Sequence, residues 1–206
     1  MNIKNKFIIL TISLLSILFL SSCYQNTIDA LSSFKFQLAI LFDSQYRNKF
    51  APDTTIDFID LDDYKQYRDN KDRIKKAQFI QFNYWIDSLH LANNKPFDPK
   101  TDNVEFEFIK FYLVFQEGGQ MPTDPGKRHI LGIFNNVNVA NYYRNPEHIL
   151  VVPEDVAKTI EEAVKINPRF YIVTEYSKVK GQQANKESFP FIWARFDIAI
   201  RFEVSL

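Results

Sequence analysis

The sequence predicts a mainly β fold, an antiparallel β-sandwich with one covering α-helix. Three observations carry this. Several segments alternate apolar and polar residues with the period of a half-buried strand. Clusters of Gly, Pro, Asn and Asp separate them. One stretch alone, Pro153–Ile166, has a clear helical period. A curved antiparallel sheet wrapped on that helix, an α+β arrangement, fits the same pattern and is the alternative. Aromatic residues form 16% of the 206, with 20 Phe and 10 Tyr. That is enough bulk for two apolar inner faces and too much for a disordered chain.

Phe34 to Phe42 alternates and reads as the first strand. A loop around Pro52-Asp53 leads to a β-branched second strand, Thr54–Leu61. Asp62 or Asp63 then caps a short charged helix to about Asn70, because a carboxylate accepts the free N–H groups of a helix start. Ala77–Asp87 is the third strand. A polar loop with Pro96 and Pro99 precedes a long strand from Val104 to Phe115. Its apolar residues move from even to odd positions near Phe108 and Ile109, which predicts a bulge or a change of sheet. After a Gly/Pro loop, His129–Phe134 is a strand, Val137–Tyr143 a helical turn and His148–Val152 an extended piece. In the helix that follows, Val156, Ile160, Ala163 and Val164 share one face, Pro153 suits the first turn and Asn167-Pro168 ends it. Arg169–Val179 and Phe191–Ser205 are strands, expected to form a long hairpin through a polar turn at Gly181–Ser188.

The 25 basic and 25 acidic residues cancel, so nothing points to nucleic acid as a partner. One cysteine excludes an internal disulfide or a cysteine metal cluster. G-x-G-x-x-G, P-loop and G-x-S-x-G patterns are absent, which leaves no phosphate cradle and no serine elbow, and no cofactor is expected.

Lys4 and Lys6 precede an apolar run from Phe7 to Leu20. At about 1.5 Å per residue this run falls short of a hydrocarbon core of about 30 Å, so it reads as a secretion signal rather than a span. Leu20-Ser21-Ser22-Cys23 follows directly. This segment resembles the lipobox of bacterial lipoproteins: an aliphatic residue, two small ones, then the cysteine that becomes the new N-terminus. The resemblance implies cleavage of residues 1–22 and acylation of Cys23; the residues after it read as a tether over 23–33 and a single β-rich domain over 34–206. Two or three acyl chains hold a soluble domain stably on a bilayer. Tyr24 stands where Asp usually signals inner-membrane retention in enterobacterial lipoproteins, so the analogy implies the periplasmic face of the outer membrane.

Asp57, Asp60, Asp62 and Asp63 form the densest acidic group, but their spacing is not that of a calcium loop, and capping plus solvated strand faces account for them. His90, His129 and His148 lack the i, i+4 spacing of a helical zinc site. Glu105 and Glu107 share a strand face, as in any solvent-facing strand, and a glycan hydrolase has little more than such carboxylates behind it. Tyr84, Trp85, Tyr112, Tyr142, Tyr143, Tyr171, Tyr176 and Trp193 are candidates for a sugar-stacking platform or an apolar pocket, the Phe residues being core. Tyr142-Tyr143-Arg144, in an expected exposed turn, is the best candidate recognition spot. These features rank a non-enzymatic binding or assembly module of the cell envelope first, with an envelope protein as partner. A carrier or sensor of an apolar or lipid ligand comes second, and an envelope glycan hydrolase third. Replacing Cys23 with Ser should abolish palmitate labelling and membrane fractionation; a mutant that still takes up label would overturn the anchor.

Overall fold

A computed structural model describes residues 33–47, 53–91, 95–177, 179–181 and 191–206. Cys23, the signal-like segment, the tether before Ser33 and the expected turn at Gly181–Ser188, apart from Gly181, lie outside the described residues. Among the described residues nine strands form two sheets: β1 (Ser33–Arg47), β2 (Asp53–Asp60), β3 (Ile74–His90), β4 (Val104–Phe115), β5 (His129–Asn138), β6 (Ile149–Leu150), β7 (Arg169–Tyr176), β8 (Val179–Gly181) and β9 (Phe191–Ser205). The first sheet has the order β1-β9-β3-β6; the second has the order β2-β7-β4-β5, with β8 also on β4. Every ladder between these strands is antiparallel. The fold is therefore the expected β-sandwich rather than a single sheet wrapped on a helix.

β9 corrects one expectation. It does not form a hairpin with β7 but lies between β1 and β3, while β7 lies between β2 and β4 in the other sheet. Length explains the choice. β9 has 15 residues, as does β1, and β3 has 17, whereas β7 has 8. A long strand satisfies its backbone groups on both sides only between long partners. The even residues of β9, such as Phe196, Ile198, Ile200 and Phe202, face the core. Its odd residues face out, as the alternation predicts.

Irregularities set the remaining phases. β3 shifts register at three places, between Ile74 and Lys76, Phe79 and Gln81, and Ile86 and Ser88. The phase change in β4 is real: Val104 and Phe106 are buried before it, and Ile109, Phe111 and Leu113 after it. At that point Phe108 and Ser177 hold each other, since Phe108 N–H donates to Ser177 Oγ and Ser177 N–H to the Phe108 carbonyl, both at 3.0 Å. β5 carries a bulge at Leu131, where Phe111 faces Gly132 but Tyr112 faces Ile130.

The helices close the sides. They are α1 (Lys65–Arg68), α2 (Val139–Tyr142) and α3 (Glu154–Ala163). A 3₁₀ turn, Leu61–Asp63, precedes the short charged helix and is capped by Asp60, whose carboxylate accepts Asp62 N–H at 2.9 Å; the helix itself starts after Tyr64 with no side-chain cap, so neither Asp62 nor Asp63 caps it. α3 sends Ile160 into the core, with Val164 at its C-terminal end. It also covers an edge: Glu161 Oε1 accepts the Phe79 N–H of β3 at 3.0 Å. An uncovered strand edge is a template for aggregation, and a helix laid along it removes that hazard.

Gly132 shows how tightly the sheets meet. A Cβ there would lie 2.7 Å from Leu150 Cγ and Cδ1, and Leu150 is buried on β6 of the facing sheet. Gly132→Ala should destabilise the fold by about 1–3 kcal/mol, the usual cost of overpacking. Trimming Leu150 to Ala in the same chain should cost less than the sum of the two single changes in urea unfolding.

Candidate functional site

β2 faces the opposite way from what its composition predicts. Thr55, Asp57 and Ile59 point toward the interior, and Ile56 and Phe58 point to solvent, 52% and 50% exposed. The register with β7 places Ile56 opposite Val173 and Phe58 opposite Tyr171. In turn Val173 faces Tyr112 and Tyr171 faces Val114 on β4, and Tyr112 faces Ile130 on β5. Directly opposed residues share a face. The outer face of the second sheet is thus a continuous apolar and aromatic surface across β2, β7, β4 and β5.

This surface is an ordered layer. Val114 and Val173 are 1% and 2% exposed yet stand outside the contiguous core, so the residues around them on the outer face bury them. The rings of Phe58 and Tyr171 lie 5.1 Å apart at 48°. Tyr112 donates to Glu175 Oε2 at 3.0 Å, with the Arg128 guanidinium 5.9 Å over its ring. Burial first, and then the Glu175 bond and charge, push the Tyr112 hydroxyl above its ordinary value, which keeps it a donor. Gln116 Nε2 donates to the Tyr171 hydroxyl at 3.2 Å. The β5 bulge turns Ile130 and Ile133 outward, 45% and 40% exposed, at the far side. Arg169 and Asp60, paired at 2.7 Å, mark one end of the surface.

The residues singled out in the sequence disperse. Tyr112 and Tyr171 belong to this surface; Trp85 and Trp193 sit on the outer face of the other sheet, and Tyr84 and Tyr176 are fully buried between the sheets. Tyr142, Tyr143 and Arg144 are not an exposed recognition turn as a unit. The Tyr142 ring stacks on His148 at 4.0 Å and packs against Phe134 at 5.2 Å, while Tyr143 meets Phe97 edge-on at 5.2 Å. Arg144 N–H donates to the Ile86 carbonyl at 2.7 Å, so the segment fastens to β3, with the Arg144 side chain left exposed. The cause is the apolar face of each ring, which Phe134 and His148 cover on Tyr142 and Phe97 covers on Tyr143.

The acidic group divides among tasks. Asp60 caps and pairs with Arg169, Asp62 pairs with Lys71 at 2.9 Å, and Asp57 turns inward. Glu107 pairs with Lys180 at 3.3 Å. His129 meets Phe115 edge-on, and His148 lies on Tyr142. Among the described residues no three His, Cys, Asp or Glu side chains gather into a metal-binding group. Sequence reasoning missed Ile56, Phe58, Ile130 and Ile133. The available signal was that β2 carries apolar residues at both parities, Ile56 and Phe58 against Ile59 and Leu61, as a strand apolar on both faces does.

No protein-family model matches the chain, and no curated protein matches it. Among solved structures it is similar to the decameric capsid protein of BFDV at 11% identity and a TM-score of 0.36, with 82% of this chain and 98% of that one covered. Desmodium yellow mottle tymovirus gives 11% identity, a TM-score of 0.30 and 84% and 90% coverage. Turnip yellow mosaic virus gives 11%, 0.29, 84% and 96%. Likenesses at these scores carry no argument about this chain.

Asp57 was expected on a solvated strand face, and its inward turn has an energetic consequence. Its Oδ2 atom is buried and accepts no hydrogen bond, and burial raises the carboxyl's pKa from 3.8 against the opposing effect of a Ser44 hydrogen bond. A carboxyl whose folded pKa is raised favours the fold while protonated. Stability is therefore lost as the pH rises from about the unfolded value of 3.8 through the folded one. Asp57→Asn should raise Tm at pH 7, and the gain should close in acid below the ordinary carboxyl range, as read by thermal melts across pH.

Proposed function

We propose that the chain is a lipid-anchored envelope protein acting as a non-enzymatic binding module that docks a protein partner on the outer face of its second sheet. The reading rests on one observation. β2 turns Ile56 and Phe58 to water and an aspartate to the core, while Ile59 of the same strand is buried. A slip of one residue would bury both apolar side chains and expose the Asp57 carboxylate, but would turn Ile59 out and Asp60 in. Large exposed apolar patches on ordered elements mark interaction surfaces.

The chemistry of the face describes its partner. Aromatic and aliphatic groups at the centre call for an apolar complement. Tyr112, Glu175 and Arg128 supply oriented polar contacts beside them, the pattern of an interface with a dry centre and a polar rim. The interior favours docking on the surface over carriage of an apolar ligand, because rings fill it: Phe82, Tyr84 and Phe111 lie 5.2–5.9 Å from Phe196. The Lys4–Cys23 segment supports acylation, and Tyr24 in place of an Asp supports, by analogy with enterobacterial lipoproteins, an address on the periplasmic face of the outer membrane.

A photo-crosslinking residue at position 130 of the full lipidated chain should give discrete protein adducts in intact envelopes. Phe58→Asp should reduce them about tenfold or more, as loss of an aromatic anchor does. The same probe at position 37, on the outer face of the other sheet, should give none. Equal adducts at both positions, or adducts indifferent to Phe58→Asp in a chain that still melts cooperatively, would overturn the reading.

A further inference from the structure

The outer face of the first sheet is built for different chemistry. The register of β1, β9 and β3 aligns Asp43, Arg195 and Trp85 in one row, and Leu41, Asp197 and Asn83 in the next. Gln45, Trp193 and Ser88 form the row on the other side. An open cavity of about 330 Å³ lies over the middle row, lined by Leu41, Phe42, Asp43, Trp85, Arg195 and Phe196. Arg195 is fixed between two carboxylates, with Nε 3.0 Å from Asp43 Oδ1 and Nη1 3.7 Å from Asp87 Oδ1. Gln81 Nε2 donates to Asp197 Oδ2 at 3.2 Å.

These groups select a ligand class by exclusion and by fit. A charged row at the cavity opposes a lipid tail, since desolvating an ion pair against hydrocarbon is costly. Asp43, Asp87 and Asp197 outnumber Arg195 and Arg144, whose Nε donates to the Asp87 carbonyl at 3.2 Å, so the local field repels an anionic ligand. The three carboxylates are already engaged, Asp43 and Asp87 by Arg195 and Asp197 by Gln81, which makes them poor ligands for a small cation. A neutral, polyhydroxylated ring suits what remains. Its C–H face lies on an indole, and its vicinal hydroxyls meet planar carboxylate and guanidinium groups that are already held in place. The volume is at the small end of ligand sites, about 300–1,000 Å³, which suits one sugar ring rather than an acyl chain. Trp193, 36% exposed in the adjoining row, extends the aromatic surface for a second ring.

We propose that the Asp43–Arg195–Trp85 cavity is a binding subsite for a hexose ring of a neutral glycan. It lies on the opposite sheet from the docking face of the proposed function and stands independently of it.

Trp85 and Trp193 are the chain's two tryptophans, so intrinsic fluorescence reports on this face alone. The full mature chain, in detergent, is titrated separately with cellotetraose, maltotetraose and tetra-N-acetylchitotetraose to about 10 mM, enough to saturate a millimolar site. Tetragalacturonate serves as the anionic control. At least one neutral oligosaccharide should give a saturable shift, and tetragalacturonate none. Trp85→Ala, read through Trp193 and by calorimetry, should weaken binding about tenfold or more. Asp43→Asn, which leaves both rings in place, should weaken it several-fold, and Phe58→Asp on the other sheet should leave it unchanged. Absence of a saturable response to all three neutral sugars, stronger binding of tetragalacturonate, or unchanged affinity in a folded Asp43→Asn chain would overturn the proposal.

Discussion

Phe196 is where the two sheets close on each other. Its ring stacks on Phe42 of β1 at 4.7 Å and meets Phe82 and Tyr84 of β3 at 5.6 and 5.2 Å. Across the sandwich it reaches Phe111 of β4 at 5.9 Å. One side chain thus ties three strands of the first sheet to the middle of the second, and its position requires β9 to run between β1 and β3. Losing a buried Phe typically costs about 3–5 kcal/mol, a large part of the stability of an ordinary domain. The inner faces of both sheets must present their rings to this cluster. That requirement sets the phase of β3 and β4 and makes their bulges necessary.

Closure leaves sheet edges to be managed. On one side β1 and β2 approach, and Ser44 Oγ meets Thr55 Oγ1 at 3.1 Å. On the other, β3 offers backbone groups that β9 does not use. Glu161 of α3, the two residues of β6 and the Tyr143–Arg144 segment take them in turn. Tyr142 and Tyr143 are therefore explained by packing, while Ile56 and Phe58 are not. The inward face of β2 gives Ile59 to the core but also an Asp57 whose Oδ2 is unpaired, while Ile56 and Phe58 are left to the outer face. Departures from local consistency concentrate where a surface has another task.

The two outer faces divide by composition. One is aliphatic and aromatic with a few fixed polar groups, and its buried Val114 and Val173 give it a small packed layer of its own. The other carries a ladder of charges down β9, from Arg195 through Asp197 and Arg201 to Glu203, flanked by amides and two indoles. A flat sheet offers ordered, preorganised side chains, which lowers the entropy lost on binding.

Much of the architecture was legible in local pattern. The alternation in Phe34–Phe42 and Phe191–Ser205, the helix before Asn167-Pro168 and the phase change near Ile109 all follow from interactions between residues a few positions apart. Partner choice was not legible, because β9 pairs with β1 across most of the chain, and a periodicity of two is the same whichever strand lies alongside. Nor was the orientation of β2. Ile56, Asp57, Phe58 and Ile59 supply apolar groups to both faces, and only the register with β7 and the contact with Ser44 decide which face is inner. The apolar surface and the Trp85 row share that origin. Each gathers side chains from three or more strands distant in sequence, so their chemistry is written in the residues but their adjacency exists only once the sheets have formed.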